Sequence, residues 1–69
     1  MKIFYDQEVD AVYLQFTKEE PGGVVEVSEG VNLDLTEDGK IVGIEILNAS
    51  KSFPLQSLFT CEFDPKLTA

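Results

Sequence analysis

Sixty-nine residues, 43% of them hydrophobic, make one globular domain and are too few for two. The formal charge of −8, from thirteen acids against five lysines, argues against direct binding to nucleic acid or to an anionic membrane. A single cysteine excludes an internal disulfide, and the lack of histidine excludes Ser-His-Asp and Cys-His catalysis and histidine metal ligation. No secretory leader and no apolar run long enough to span a membrane is read, so a cytoplasmic location is expected.

Lys2 to Tyr5 reads as a first strand, followed by the polar loop Asp6-Gln7-Glu8-Val9-Asp10. Ala11 to Thr17 alternates, with Val12, Leu14 and Phe16 on one face and Ala11, Tyr13 and Gln15 on the other. Loops of four and of five residues both fit this first hairpin, and they give Ile3 and Phe4 opposite facings. Lys18 to Gly23 is a connection in which Pro21 and Gly22 suit the centre of a type II turn.

Val24 to Val27 is the third strand. A three-residue loop, Ser28-Glu29-Gly30, sets Val27 opposite Val31 and Val25 opposite Leu33. A two-residue loop would set Val27 opposite Asn32 and break the apolar face. Asp38-Gly39 then predicts a type I′ hairpin turn. That register pairs Leu35 with Val42, Leu33 with Ile44 and Val31 with Ile46 on an apolar face. Thr36 with Ile41, Asp34 with Gly43 and Asn32 with Glu45 occupy the other face. A one-residue slip would mix the two sets.

After Leu47 the period changes. Asn48 or Ser50 can cap a helical turn, and Pro54 suits the first turn of a short helix. Leu55, Leu58 and Phe59 then recur at helical spacing, as a lid over one sheet face. Residues 2–47 are thus read as the sheet and 48–60 as a helical lid. Residues 61–69 are a tail or an added edge strand. The fold class is α+β: a five-stranded, mainly antiparallel β-meander with a short C-terminal helix.

Asp34, Thr36, Asp38, Gly39, Ile41 and Glu45 match the spacing of a calcium-binding EF-hand loop. Such a loop sits between helices, whereas both flanks here alternate with the period of strands. Asp34, Asp38 and Glu45 are therefore metal candidates only under a second reading, that of a metal- or small-ligand-binding protein. No catalytic residue and no cofactor are expected. Cys61 reads as a small buried hydrophobe, and Tyr5 and Tyr13 as half-buried strand residues with wet tips.

The predicted outer face carries Glu26 and Glu45 on either side of Asn32, with Asp34 one pair along. The two glutamates would stand about 10 Å apart, too wide for a glycosidase pair and on a sheet without a cleft. Gly43 opposite Asp34 weakens a strand unless something comes close; the lid or another chain is the expected reason. Glu26, Asn32, Asp34, Gly43 and Glu45 are accordingly read as a partner-facing surface.

Tyr5-Asp6-x-Glu8-x-Asp10-x-x-Tyr13, Asp34, Asp38-Gly39-x-x-x-Gly43-x-Glu45-Ile46-Leu47 and Ala49-Ser50 resemble a family of small prokaryotic proteins, domain of unknown function 2283. The likeness runs from Tyr5 to about Ser50. Asn48 stands where an acid is expected. The family has no established catalytic residues, so the resemblance carries none over. Some members are encoded beside toxin-like proteins, which points to an antitoxin-like, partner-binding role.

The leading expectation is a non-enzymatic interaction module. A chain of this length buries only about 60% of its unfolded surface, and one short helix about 10 Å across cannot cover five strands about 4.8 Å apart. A homodimer or another protein partner is expected to cover the remainder.

Overall fold

The computed structural model describes residues 1–67. Lys2–Asp6 (β1), Ala11–Gln15 (β2), Gly23–Ser28 (β3), Val31–Leu35 (β4) and Ile41–Leu47 (β5) form one antiparallel sheet. A four-residue helix, Ala49–Ser52 (α1), and a 3-10 helix, Leu55–Phe59, follow. The class is α+β, as the hydrophobic periods predict. Pro65–Leu67 forms another 3-10 turn, so an edge strand does not form among the described residues of the tail.

The strand order is β1-β2-β5-β4-β3. β3, β4 and β5 run as the expected meander, but β2 pairs with β5 rather than with β3. This order puts the apolar strands β2 and β5 inside the sheet, where Val12 meets Ile46 and Leu14 meets Ile44. β3, exposed along its whole length, is left at an edge. The connection from β2 to β3 crosses the ends of β5 and β4. Phe16 N–H and Thr17 N–H donate to Val42 O, and Gly22 N–H donates to Leu35 O. Gly22 is not left-handed, so the type II turn does not form there. It serves close approach instead, because a Cβ would stand 2.9 Å from Glu37 N.

β1 and β2 are joined by four residues, which pairs Ile3 with Leu14 and Tyr5 with Val12. The other two hairpins keep the predicted facings away from their turns and change them at the turns. Val31 meets Ile46, Leu33 meets Ile44 and Asp34 meets Gly43, as expected, but Leu35 meets Ile41 rather than Val42. The loop is not type I′: Gly39 is left-handed (φ 88°) and Asp38 is not. Gly39 N–H donates to Thr36 O, and Thr36 N–H to Lys40 O. That is a type I turn closed by a left-handed glycine, one residue longer than type I′. A bulge at Val42 absorbs the extra residue and restores the register.

The preceding hairpin makes the opposite exchange. Its loop is the shorter Glu29-Gly30, with Ser28 opposite Val31, and a bulge at Val27 restores Val25 opposite Leu33. Parity of the apolar face governs the strands, and bulges reconcile it with whichever loop the turn residues prefer.

The molecule is one layer thick over much of its area. Among the described residues only Val12, Val42 and Ala49 are buried hydrophobics. The radius of gyration is 13.0 Å, against about 11 Å for an ordinary compact domain of this length. No described helix is long and apolar enough to cross a membrane.

Candidate functional site

Strand parity sorts the side chains into two unlike faces. Lys2, Asp6, Glu26, Asp34 and Glu45, the charged residues of the strands, all fall on one face. Ile3, Val12, Leu14, Val25, Val31, Leu33, Ile44 and Ile46 fall on the other. On the charged face one cross-strand row runs Phe4, Tyr13, Glu45, Asn32, Glu26. The next runs Lys2, Gln15, Gly43, Asp34, Val24. The structure thus brings Glu26, Asn32, Asp34, Gly43 and Glu45 together on the face where counting put them. The alternation missed Tyr13 as the residue that organises them.

Tyr13 leans diagonally from its own row across Gly43. Its hydroxyl donates to Asp34 Oδ2 at 2.9 Å, two strands away. A Cβ on Gly43 would overlap the Tyr13 hydroxyl and stand 2.6 Å from the carbonyl oxygen of Leu14. The glycine is therefore the floor under a tyrosine from the adjacent strand, not a contact for the lid, which packs on the opposite face. Burial first, and then the bond to Asp34, push the Tyr13 phenol above its ordinary pKa. Asn32 Nδ2 donates to Glu45 Oε1 at 3.2 Å beside it. The Phe4 and Tyr13 ring centroids are 6.4 Å apart, and Lys2 Nζ sits 4.9 Å from the Phe4 centroid.

This cluster is open, and within it Tyr13 is paired with Asp34 and Asn32 with Glu45. Asp38 lies in the turn, where it accepts from the Thr36 hydroxyl and stands 3.7 Å from Lys40 Nζ. It does not join Asp34 and Glu45. Among the described residues no three acidic or cysteine side chains come together in a way that could hold an ion. The segment with EF-hand spacing is flanked by β4 and β5, not by helices, so that motif match is overturned.

A second cluster was not assembled by sequence reasoning, although its residues belong to the family-like spacing. Asp10 closes the first hairpin loop in a left-handed conformation (φ 54°). Its carboxylate accepts from the Tyr5 hydroxyl at 2.9 Å, from the Ser50 hydroxyl at 2.7 Å and from Ser50 N–H. Its carbonyl accepts from Ala49 N–H. The Ser50 hydroxyl is the first cause holding the Asp10 carboxyl below its ordinary pKa. The helix cap thus comes from across the fold. Asn48 makes no side-chain cap bond, and Ser50 donates to Asp10 instead of capping. The signal in the sequence was the pairing of Asp10 with Ala49-Ser50, 40 residues apart, which periodicity does not link.

The lid packs on the apolar face at the β1 edge. Ile3, Tyr5, Leu55, Leu58 and Phe59 line a slot of about 340 Å³ there. Cys61 is exposed, not buried as expected, because the chain beyond Phe59 leaves the sheet.

Among curated proteins and among solved structures none matches the chain. A family model does match, over residues 2–50. That span holds all five strands, both tyrosine–aspartate clusters and Gly43 with its row, and it ends at Ser50, where the chain is clasped to Asp10. The chain belongs to the family described as Protein of unknown function (DUF2283).

Proposed function

We propose that this chain is a non-enzymatic interaction module, working by docking a protein on its sheet as an antitoxin docks the product of a neighbouring gene. One observation carries the reading: the lid lies on the apolar face at the β1 edge, while β3 at the far edge is exposed along its whole length. The chain exposes 5609 Å², against about 4,300 Å² for an ordinary monomer of its mass. Part of that excess lies in the outstretched segment with Phe59 and Phe63, and part along β3, where Val25 and Val27 are exposed. Exposed apolar side chains along a strand edge of this kind favour an interface there.

Catalysis has little support from the charged face. General acid–base work needs a desolvated group whose pKa is tuned near neutrality, and the perturbed group on that face is Tyr13, moved up and away from it. The metal- or ligand-binding reading loses Asp38 to the turn.

The test is co-expression with the product of the adjoining gene, followed by sizing of the purified material. A stoichiometric complex, with that product or with a second copy, that Val25→Lys abolishes supports the module. A chain that forms no complex with either, and whose apolar face binds no hydrophobic dye, sinks it.

A further inference from the structure

We infer that the occupant of the open apolar half is a second copy of this chain, packed face to face through β3 and β4 about a two-fold axis. This rests on the interaction-module reading and names its partner.

The lid touches Ile3 and Tyr5, and β1 lies at the opposite edge from β3. Four strand spacings of about 4.8 Å separate those edges, roughly twice the width of a helix. Val25 therefore faces outward beyond the reach of the lid, and Val31, Leu33 and Leu35 of β4 lie on the same face, each half-buried. Val25 remains 47% exposed. A two-fold axis beneath β4 lays β3 and β4 of one copy over those of its partner and sends the two lids to opposite ends. Two inner faces then pack about 10 Å apart, as in a sandwich.

The surface in excess of an ordinary monomer, about 1,300 Å², compares with the roughly 800 Å² that each partner buries in a stable dimer. Part of that excess belongs to the C-terminal segment with Phe59 and Phe63, and part to the exposed strand β3. Charge does not stand in the way. Each copy carries −8, but the strand charges all lie on the opposite face, so no charged strand residue falls within the interface. Repulsion between the outer faces is screened over about 8 Å at physiological salt. A heterologous partner would need the same charge-free, flat apolar surface; the second copy already has it.

Light scattering on a size-exclusion column at micromolar concentration and physiological salt tests this. The expected mass is twice 7.7 kDa, and it should hold more firmly as salt is raised. Val25→Lys should weaken the dimer by about 100-fold or more, because it places charges in the apolar contact without partners. Val24→Lys, on the charged face, should leave the dimer intact. Far-UV circular dichroism checks that both variants keep the sheet, which the exposure of both positions favours. A dimer indifferent to Val25→Lys overturns the assigned face. A wild-type monomer that binds hydrophobic dye in a Val25-dependent manner overturns the second copy and leaves the module reading standing. A wild-type monomer that binds no such dye defeats both.

Discussion

Tyr5 and Tyr13 each donate a hydrogen bond of 2.9 Å to an aspartate. They sit on opposite faces of the sheet, and their surroundings differ accordingly. Tyr5 and Asp10 belong to a clasp. Asp10 ties the first hairpin loop to α1, a four-residue helix too short to hold itself. Tyr13 and Asp34 hold no separate element. They stitch three strands of the charged face together over Gly43. The same donor and acceptor thus act as a joint on one face and as a preorganised polar surface on the other.

Gly43→Val should have the largest effect. The new side chain meets both the Tyr13 ring and the Leu14 carbonyl oxygen. The ring can swing away, but the backbone oxygen cannot, so β2 and β5 must separate. A loss of about 3 kcal/mol is expected, read as a fall in the urea midpoint. An unchanged midpoint would show that Gly43 is not the floor of the cluster. Gly39→Val is the control. No atom lies within 4 Å of its Cβ position, and only its φ of 88° resists the substitution. Backbone strain alone predicts a loss of about 1–2 kcal/mol, smaller than at Gly43.

Asp10→Ala breaks the clasp. It removes the acceptor of Tyr5 and of both Ser50 donors, and leaves only the backbone bond from Ala49 N–H to the residue 10 carbonyl to hold the lid to the loop. The melting temperature should fall, and amide exchange should quicken in residues 49–59 before it does in β4 and β5. Uniform quickening would contradict a local joint. Tyr13→Phe removes one hydrogen bond and keeps the ring over Gly43, at a cost of about 1 kcal/mol. Exchange in α1 should not change.

The sequence made the strands legible because period-two alternation survives everything else. From β3 to β5 the apolar pairs away from the turns, such as Val25 with Leu33 and Leu33 with Ile44, follow from counting. The turns were not legible to the same depth. Asp-Gly is compatible with both a two-residue and a three-residue loop, and the bulge at Val42 makes either loop consistent with the same face. The sheet order was hidden for a different reason. Pairing of β2 with β5 is a choice between partners of similar apolar content, made by burial of both strands. The polar row was predicted as a set, but the reach of Tyr13 was not. A tyrosine crossing two strands diagonally is a side-chain event that facing pairs do not describe. The clasp joins residues 40 apart through a left-handed Asp10, which no period encodes.

The finest test separates the two phenols by titration. Both are raised above 10.0, Tyr5 first by its bond to Asp10 and Tyr13 first by burial. A raised folded pKa means that the fold favours the protonated phenol. The stability this contributes is complete below the unfolded value and is lost as pH rises through the folded one. Asp10 works in the opposite sense. Its folded pKa is lowered from 3.8, so its contribution is present above that value and is lost as pH falls through the lower folded one. The clasp should therefore loosen at both extremes, by protonation of Asp10 in acid and ionisation of Tyr5 in base, whereas the Tyr13 cluster gives way in base. Tyrosinate absorbance, with carbon NMR of the two rings to assign it, resolves the pair. Asp10→Asn should return Tyr5 most of the way to its ordinary pKa, because the bond to the carboxylate is its first cause. Asp34→Asn should return Tyr13 only part of the way, because burial over Gly43 and beside Phe4 persists. Equal recovery in the two variants would mean that the phenols share one environment, and the distinction between joint and surface would fall.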